Sequence, residues 1–171
     1  MGGVDPGKTG GWAIVDIKGR RLVAGGPLNF DGCDRELFEA LQVWGVEDVL
    51  LERAQAAAGD AGQFEYGRSF GRTETAVQLA GATRWYVAPS WWKGKLGCPV
   101  DKKGAYALAE RIFPDLGLIA HNGPRGGLDT GTAEAALIAH VMARPSLRAE
   151  VEKNNAARLK AKRRKKVRFE L

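Results

Sequence analysis

The sequence predicts a mixed α/β fold: a five-stranded sheet flanked by helices. Three observations lead there. Three short strand-like runs come first, and later runs alternate with segments of helical periodicity. Two of the runs end in an acid, at Val4-Asp5 and at Glu52. Apolar residues make up 44% of the 171, enough for the core of one domain and too many for a disordered chain.

The elements follow in order. The first strand ends at Val4-Asp5 and is short, with four residues before Asp5, and Pro6-Gly7-Lys8-Thr9-Gly10 turns the chain. GWAIVDI at 11–17 is a strand, and Lys18-Gly19-Arg20 turns it into Arg21–Gly25, giving a hairpin. Asp31 to Asp34 offer cap chemistry for a helix at 35–44, where Leu37, Phe38, Leu41 and Trp44 fall at helical spacing. DVLLE at 48–52 has the apolar character of a central strand. A Gly/Ala-rich loop extends through 53–72, leading into a helix expected at 68–81; a strand at 84–88 is stopped by Pro89. Lys102 to Phe113 is a helix with Ala105, Leu108, Ala109 and Ile112 on one face. Residues 115–130 are loop, and TAEAALIAHVMA at 132–143 is a helix apolar on most sides, fit for the core. The order β-β-β-α-β-α-β-α-α gives a mixed sheet covered by helices. Residues 1–145 form the domain and 146–171 a basic tail, helical or flexible.

Charge is unevenly spread. The chain is +6, and from Val151 to Leu171 nine basic residues against Glu152 and Glu170 give +7, leaving about −1 for residues 1–150. Such a run suits a polyanion, bound through phosphate contacts without sequence reading; a solvated end is the plain alternative. No apolar run is long enough for a membrane helix, and no secretory signal pattern opens the chain. Cys33 and Cys98 fit no zinc or disulfide spacing, so a reducing, cytoplasmic setting is expected, with an organellar one as the alternative.

Four acids fall at element ends that one topology can bring together: Asp5, Glu52, Asp129 and Glu134. Carboxylates converging on a sheet edge repel one another unless a cation neutralises them, and hard oxygen donors favour Mg2+, with Mn2+ as substitute. Two such ions suit in-line phosphodiester hydrolysis. Each acid also has a plainer use: Asp5 as a turn cap, Glu52 in an ion pair with Arg53, Glu134 as a residue near a helix start, Asp129 as a cap. An acid closing a wholly apolar strand is nonetheless costly without a purpose.

The segments GVDPGKTGGWAIVD, LLERAQ, VAPSWWKGKLG with DKKGAYALAERIFP, and DTGTAEAALIA resemble, in this order, the motifs of RuvC-like Holliday-junction resolvases of the phage and chloroplast type. The resemblance covers most of residues 2–143. It implies an RNase H-like fold, Asp5, Glu52 and Glu134 as magnesium ligands, and a magnesium-dependent endonuclease acting on four-way DNA junctions. The family's fourth ligand, His or Asp, lies three to five residues before the last acid; here Asp129, Thr130 and Gly131 stand there, which points to Asp129 and away from His121.

For DNA contact the expected residues are Lys8, Arg68, Arg72, Trp92, Lys93, Lys95, Lys102 and Lys103. Trp91 and Trp92 would stack on bases while the lysines hold phosphates, with one tryptophan of the pair expected in the core. Lys102 and Lys103 open a helix. In QFEYGRSFGR at 63–72, Phe64, Tyr66 and Phe70 are candidates to wedge between base pairs, core packing of Phe70 being the alternative. A junction has two equivalent strands to cut, so a twofold homodimer is expected, with 35–44 and 53–72 as candidate surfaces. Competing readings are a broader branched-DNA or RNA nuclease, a non-catalytic nucleic-acid-binding module, and an actin-like ATPase. The last needs a second lobe, for which the length leaves no room, and Gly-Lys-Thr lacks P-loop spacing.

Overall fold

A computed structural model describes residues 1–7, 9–16, 21–28, 34–53, 62–120 and 127–169, with side chains to Ala161. Five strands form one sheet in the order β3-β2-β1-β4-β5. They are β1 (Gly2–Asp5), β2 (Gly11–Asp16), β3 (Arg21–Pro27), β4 (Asp48–Glu52) and β5 (Thr83–Val87). The first three are antiparallel, and β4 and β5 run parallel to β1. This is the predicted mixed five-stranded sheet. β3 continues two residues past its expected end because Gly26 and Pro27 pair with Trp12 and Gly11. The ladder overrides their weak strand preference.

Two cores lie on opposite sheet faces, and the period of two assigns residues to each. Val49 and Leu51 pack with Val4, Trp12, Ile14 and helix α1 (Arg35–Val43) on one face. Leu50 packs with Ala13 and Val15 on the other, against α4 (Lys102–Ile112) and α6 (Thr130–Ala143). Along β1 and β4 the same alternation turns Asp5 and Glu52 toward the α6 side, with Gly3 and Leu50. α6 is buried at nearly every position, as its sequence predicts. It lies so close to β1 that a Cβ on Gly3 would come within 2.2 Å of the Ala135 carbonyl. Glycine at position 3 and the alanines of α6 are what admit this approach.

Several elements differ from expectation. α2 (Gln63–Leu79) begins five residues before 68, so residues 63–72 are helix and not loop. Phe70 is partly buried against Tyr66 and Tyr86, which settles it as a packing residue. Pro89 does not merely stop β5: it opens a helix, α3 (Pro89–Leu96), closed by Gly97 at φ 60°. A short α5 (Leu116–Ile119) breaks the expected 115–130 loop. The described part of the expected tail is helical throughout, within the long helix α7 (Pro145–Phe169). Trp44 lies outside the buried stripe of α1, half-exposed at the C-cap, where Gly45 (φ 55°) turns the chain away. Asp34 stands at the N-cap of α1 without capping it; its carboxylate accepts from Thr73 Oγ1 at 2.7 Å, tying α1 to α2. Among the described residues, no helix is long and apolar enough to cross a membrane. Lys8, the Lys18-Gly19-Arg20 turn, Asp31, Cys33, residues 54–61 and His121 lie outside the described residues.

Candidate active site

The parallel pairing of β1 with β4 places Val4 opposite Leu51, so Asp5 and Glu52 follow side by side at the same sheet edge. Here β1 has an antiparallel neighbour on one flank and a parallel one on the other. Such a switch point, outside the carboxyl ends of parallel strands, is where α/β sheets place their sites. Glu134 reaches this edge from the second turn of α6, with its side chain 6% exposed.

The three acids are coupled. Burial, then the neighbouring charges of Glu52 and Glu134, push the Asp5 carboxyl up to about 7 against the pull of Lys102 and Lys93. Glu52 is raised as well, chiefly by burial, with Glu134 adding to it and a hydrogen bond from Trp92 opposing. Glu134 goes the other way. Burial would raise it, but hydrogen bonds and charge from Lys102 and Lys93 hold it below its ordinary value. Lys93 Nζ donates to one Glu134 oxygen at 2.6 Å and Lys102 Nζ to the other at 2.8 Å.

Two of these supports come from α3, a helix the sequence does not announce. Trp92 is fully buried, and its Nε1 donates to Glu52 Oε2 at 2.6 Å. It therefore offers no face to a base, and the expected stacking role is corrected: the ring is core and the indole N–H fixes a carboxylate. The tryptophan half of that expectation, one of the pair in the core, is met by Trp92, while Trp91 is partly buried. Lys93 likewise faces Glu134, with its ammonium 5.2 Å from the centre of the Trp92 ring. The signal for this helix is local: Pro at a first helical position and Gly eight residues on.

Asp129 has hydrogen-bond partners of its own. It is buried at the N-cap of α6, where one oxygen accepts from Thr132 N at 3.0 Å and the other from Thr132 Oγ1. Its plainer reading, a cap, describes its contacts in the structure. Of the remaining expected DNA-contact residues, Lys102 is half-exposed and Lys103 exposed at the start of α4. Lys95 is paired with Glu150 of α7 at 2.6 Å. Arg68 pairs with Glu65 on α2. Arg72 lies beside Asp34, in an apolar hollow between α1 and α2. Lys8 lies outside the described residues.

Among the described residues no three His, Cys, Asp or Glu groups form a ready-made cation cage. The donors nonetheless fit a hard divalent ion in kind. They are carboxylates alone, desolvated and mutually repelling, and the one that is neutralised is neutralised by two ammonium groups. Asp5 and Glu52 would hold such an ion, with Glu134 joining them as its lysines yield.

Fold and site together define an RNase H-like α/β domain with an acidic edge. The fold is similar to that of RuvC from Thermus thermophilus. One structure of that protein, in complex with a Holliday junction substrate, matches with a TM-score of 0.61 and 21% identity over 81% of this chain and 88% of that one. A second Thermus thermophilus RuvC structure matches with a TM-score of 0.61 and 20% identity, covering 86% and 98%. No family model and no curated protein matches the sequence.

Proposed function

We propose that this protein is a divalent-metal-dependent endonuclease that resolves four-way DNA junctions, acting as a homodimer in the cytoplasm. The observation that carries the reading is the meeting of Asp5, Glu52 and Glu134 at one sheet edge, so coupled that Asp5 is pushed up to about 7. Three acids kept together at that electrostatic cost call for a cation. The RuvC fold supports the substrate class, since a protein of that fold is known in complex with a Holliday junction.

Two bound magnesium ions would supply the Lewis acidity that phosphodiester hydrolysis needs, with manganese as substitute. The chain's own residues do the rest. Asp5 and Glu52 would hold the ions from adjacent strands, and Trp92 fixes the orientation of Glu52 through its indole N–H. Lys93 holds Glu134 from a largely buried position. Lys102, half-exposed at the first turn of α4, is placed to turn from Glu134 toward a phosphate.

A non-catalytic nucleic-acid-binding module is favoured by one observation: both Glu134 oxygens are already satisfied by lysines. Cleavage decides. A synthetic four-way junction and a linear duplex of the same sequence are incubated with magnesium. Paired symmetric nicks on the junction alone are expected. Binding without cutting would establish the module instead, and equal cutting of the linear duplex would remove the junction preference.

A further inference from the structure

The helix α7 has two halves of different character. The first is tied to the β5 edge of the sheet. Leu147, Val151 and Asn155 are buried at successive turns, and Arg158 follows with its guanidinium 5.5 Å from the centre of the Tyr86 ring. The Asn155 amide does what a sixth strand would do: its Nδ2 donates to the Tyr86 carbonyl at 2.9 Å and its Oδ1 accepts from Tyr86 N–H at 3.1 Å. Arg148 adds an ion pair with buried Asp48 at 3.0 Å, and Glu150 one with Lys95.

The same stripe, carried on by helical spacing, next meets Lys162 and Lys166. Among the described side chains the contacts with the β5 edge reach as far as Arg158, and from Lys160 to Phe169 the apolar residues are Ala161, Val167 and Phe169 alone. From Lys160 to Arg168 seven of nine residues are basic: Lys160, Lys162, Arg163, Arg164, Lys165, Lys166 and Arg168. The helix runs on to Phe169. Many of these charges fall three or four apart, an arrangement that costs a lone helix about 0.2–0.5 kcal/mol per like pair. A polyanion removes that cost.

We propose that the second half of α7 is a duplex-DNA-binding rod that grips the phosphate backbone of an arm without reading its sequence. The docked half holds the rod at the β5 edge. The rod extends about 15 Å from Lys160, at 1.5 Å per residue. The duplex partner is taken from the nuclease reading, and the rod deepens that reading by adding an arm contact away from the acids.

The test compares the full chain, a chain ending at Leu159, and a full-length variant with those seven residues changed to glutamine. The glutamine variant keeps helix propensity and length should truncation disturb folding. Binding to a linear duplex and to a four-way junction is followed by fluorescence anisotropy without divalent ions across a range of salt. Both altered proteins should bind duplex about 10- to 100-fold more weakly, and the slope of log affinity against log salt should fall by about 3–6. With magnesium at saturating protein, both should still cut junctions, since the described side-chain partners of Glu52 and Glu134 come from α3 and α4. An unchanged slope would overturn the proposal. So would tail-dependent binding to phosphatidylserine vesicles with no change in the DNA slope, which would assign the rod to a membrane surface. A full chain with the tail-dependent slope but no cleavage would sustain the rod and sink the nuclease.

Discussion

The two halves of the acidic site solve the same problem in opposite ways. On the strand side, Asp5 and Glu52 are brought together by β1 and β4 with no cationic hydrogen-bond partner among the described residues; both are raised. On the helix side, Glu134 is buried too yet lowered, because α3 and α4 each deliver a lysine to it. Burial alone therefore does not set the charge of a carboxyl; the element that carries its partner does. The sheet supplies the repulsion a divalent ion would relieve, and the helices supply part of its substitute.

The largest effect expected is on catalysis. Glu52→Gln and Asp5→Asn should each lower junction cleavage by about 10³-fold or more, since each removes a proposed metal ligand. The same Asp5→Asn change should stabilise the apoprotein. Its folded value, about 7, lies above its ordinary 3.8. The folded state thus binds the proton more tightly, and stability falls as pH rises from about 4 to about 7 in metal-free buffer. At pH 8 the asparagine variant should melt about 3–6 °C higher, for roughly 1–2 kcal/mol.

Trp92→Phe sharpens the contrast by keeping an aromatic ring and removing the indole N–H from Glu52. Turnover should drop about 10- to 100-fold, as for other partners that orient metal ligands. Denaturant titration should show a loss of about 1–3 kcal/mol from the unpaired carboxylate oxygen. Lys93→Met tests the other half. Glu134 is lowered from 4.5 in the folded protein, so its stabilising charge is present above that value and lost as pH falls through the folded one. In the variant the acid-side loss should shrink, with about 1–2 kcal/mol less stability near pH 7. Lys102→Met should do less, because that side chain is 50% exposed against 23% for Lys93. The smallest effect belongs to Lys95→Ala. Two residues from Lys93, it pairs with Glu150 at the surface, and both cleavage and stability should change little, by about 0.5 kcal/mol or less.

The strand ends were legible because an apolar run seldom closes on an acid unless that acid is used, and Asp5 and Glu52 fall at one sheet edge as expected. So did α6, whose alanine-rich sequence leaves no polar face to confuse the pattern. α3 was missed because PSWWKGKLG carries no apolar stripe of helical period; only its Pro and Gly ends mark it. The half-docked character of α7 was hidden for a related reason. Its buried stripe passes through Asn155 and Arg158, polar residues whose packing depends on the β5 edge they meet. The role of Trp92 was beyond local pattern altogether, since its partner lies 40 residues away. Asp129 shows the reverse: the cap chemistry was visible, and in the structure both oxygens are spent on Thr132.

The central claim is that Asp5, Glu52 and Glu134 act as one divalent-cation site. Manganese binding followed by electron paramagnetic resonance tests it directly, for wild type, Asp5→Asn and Glu52→Gln across pH. Wild type should bind manganese with an affinity that climbs as pH rises through about 7, where Asp5 gives up its proton, and both variants should lose that binding. Equal binding by all three proteins, or an affinity indifferent to pH across that range, would contradict it.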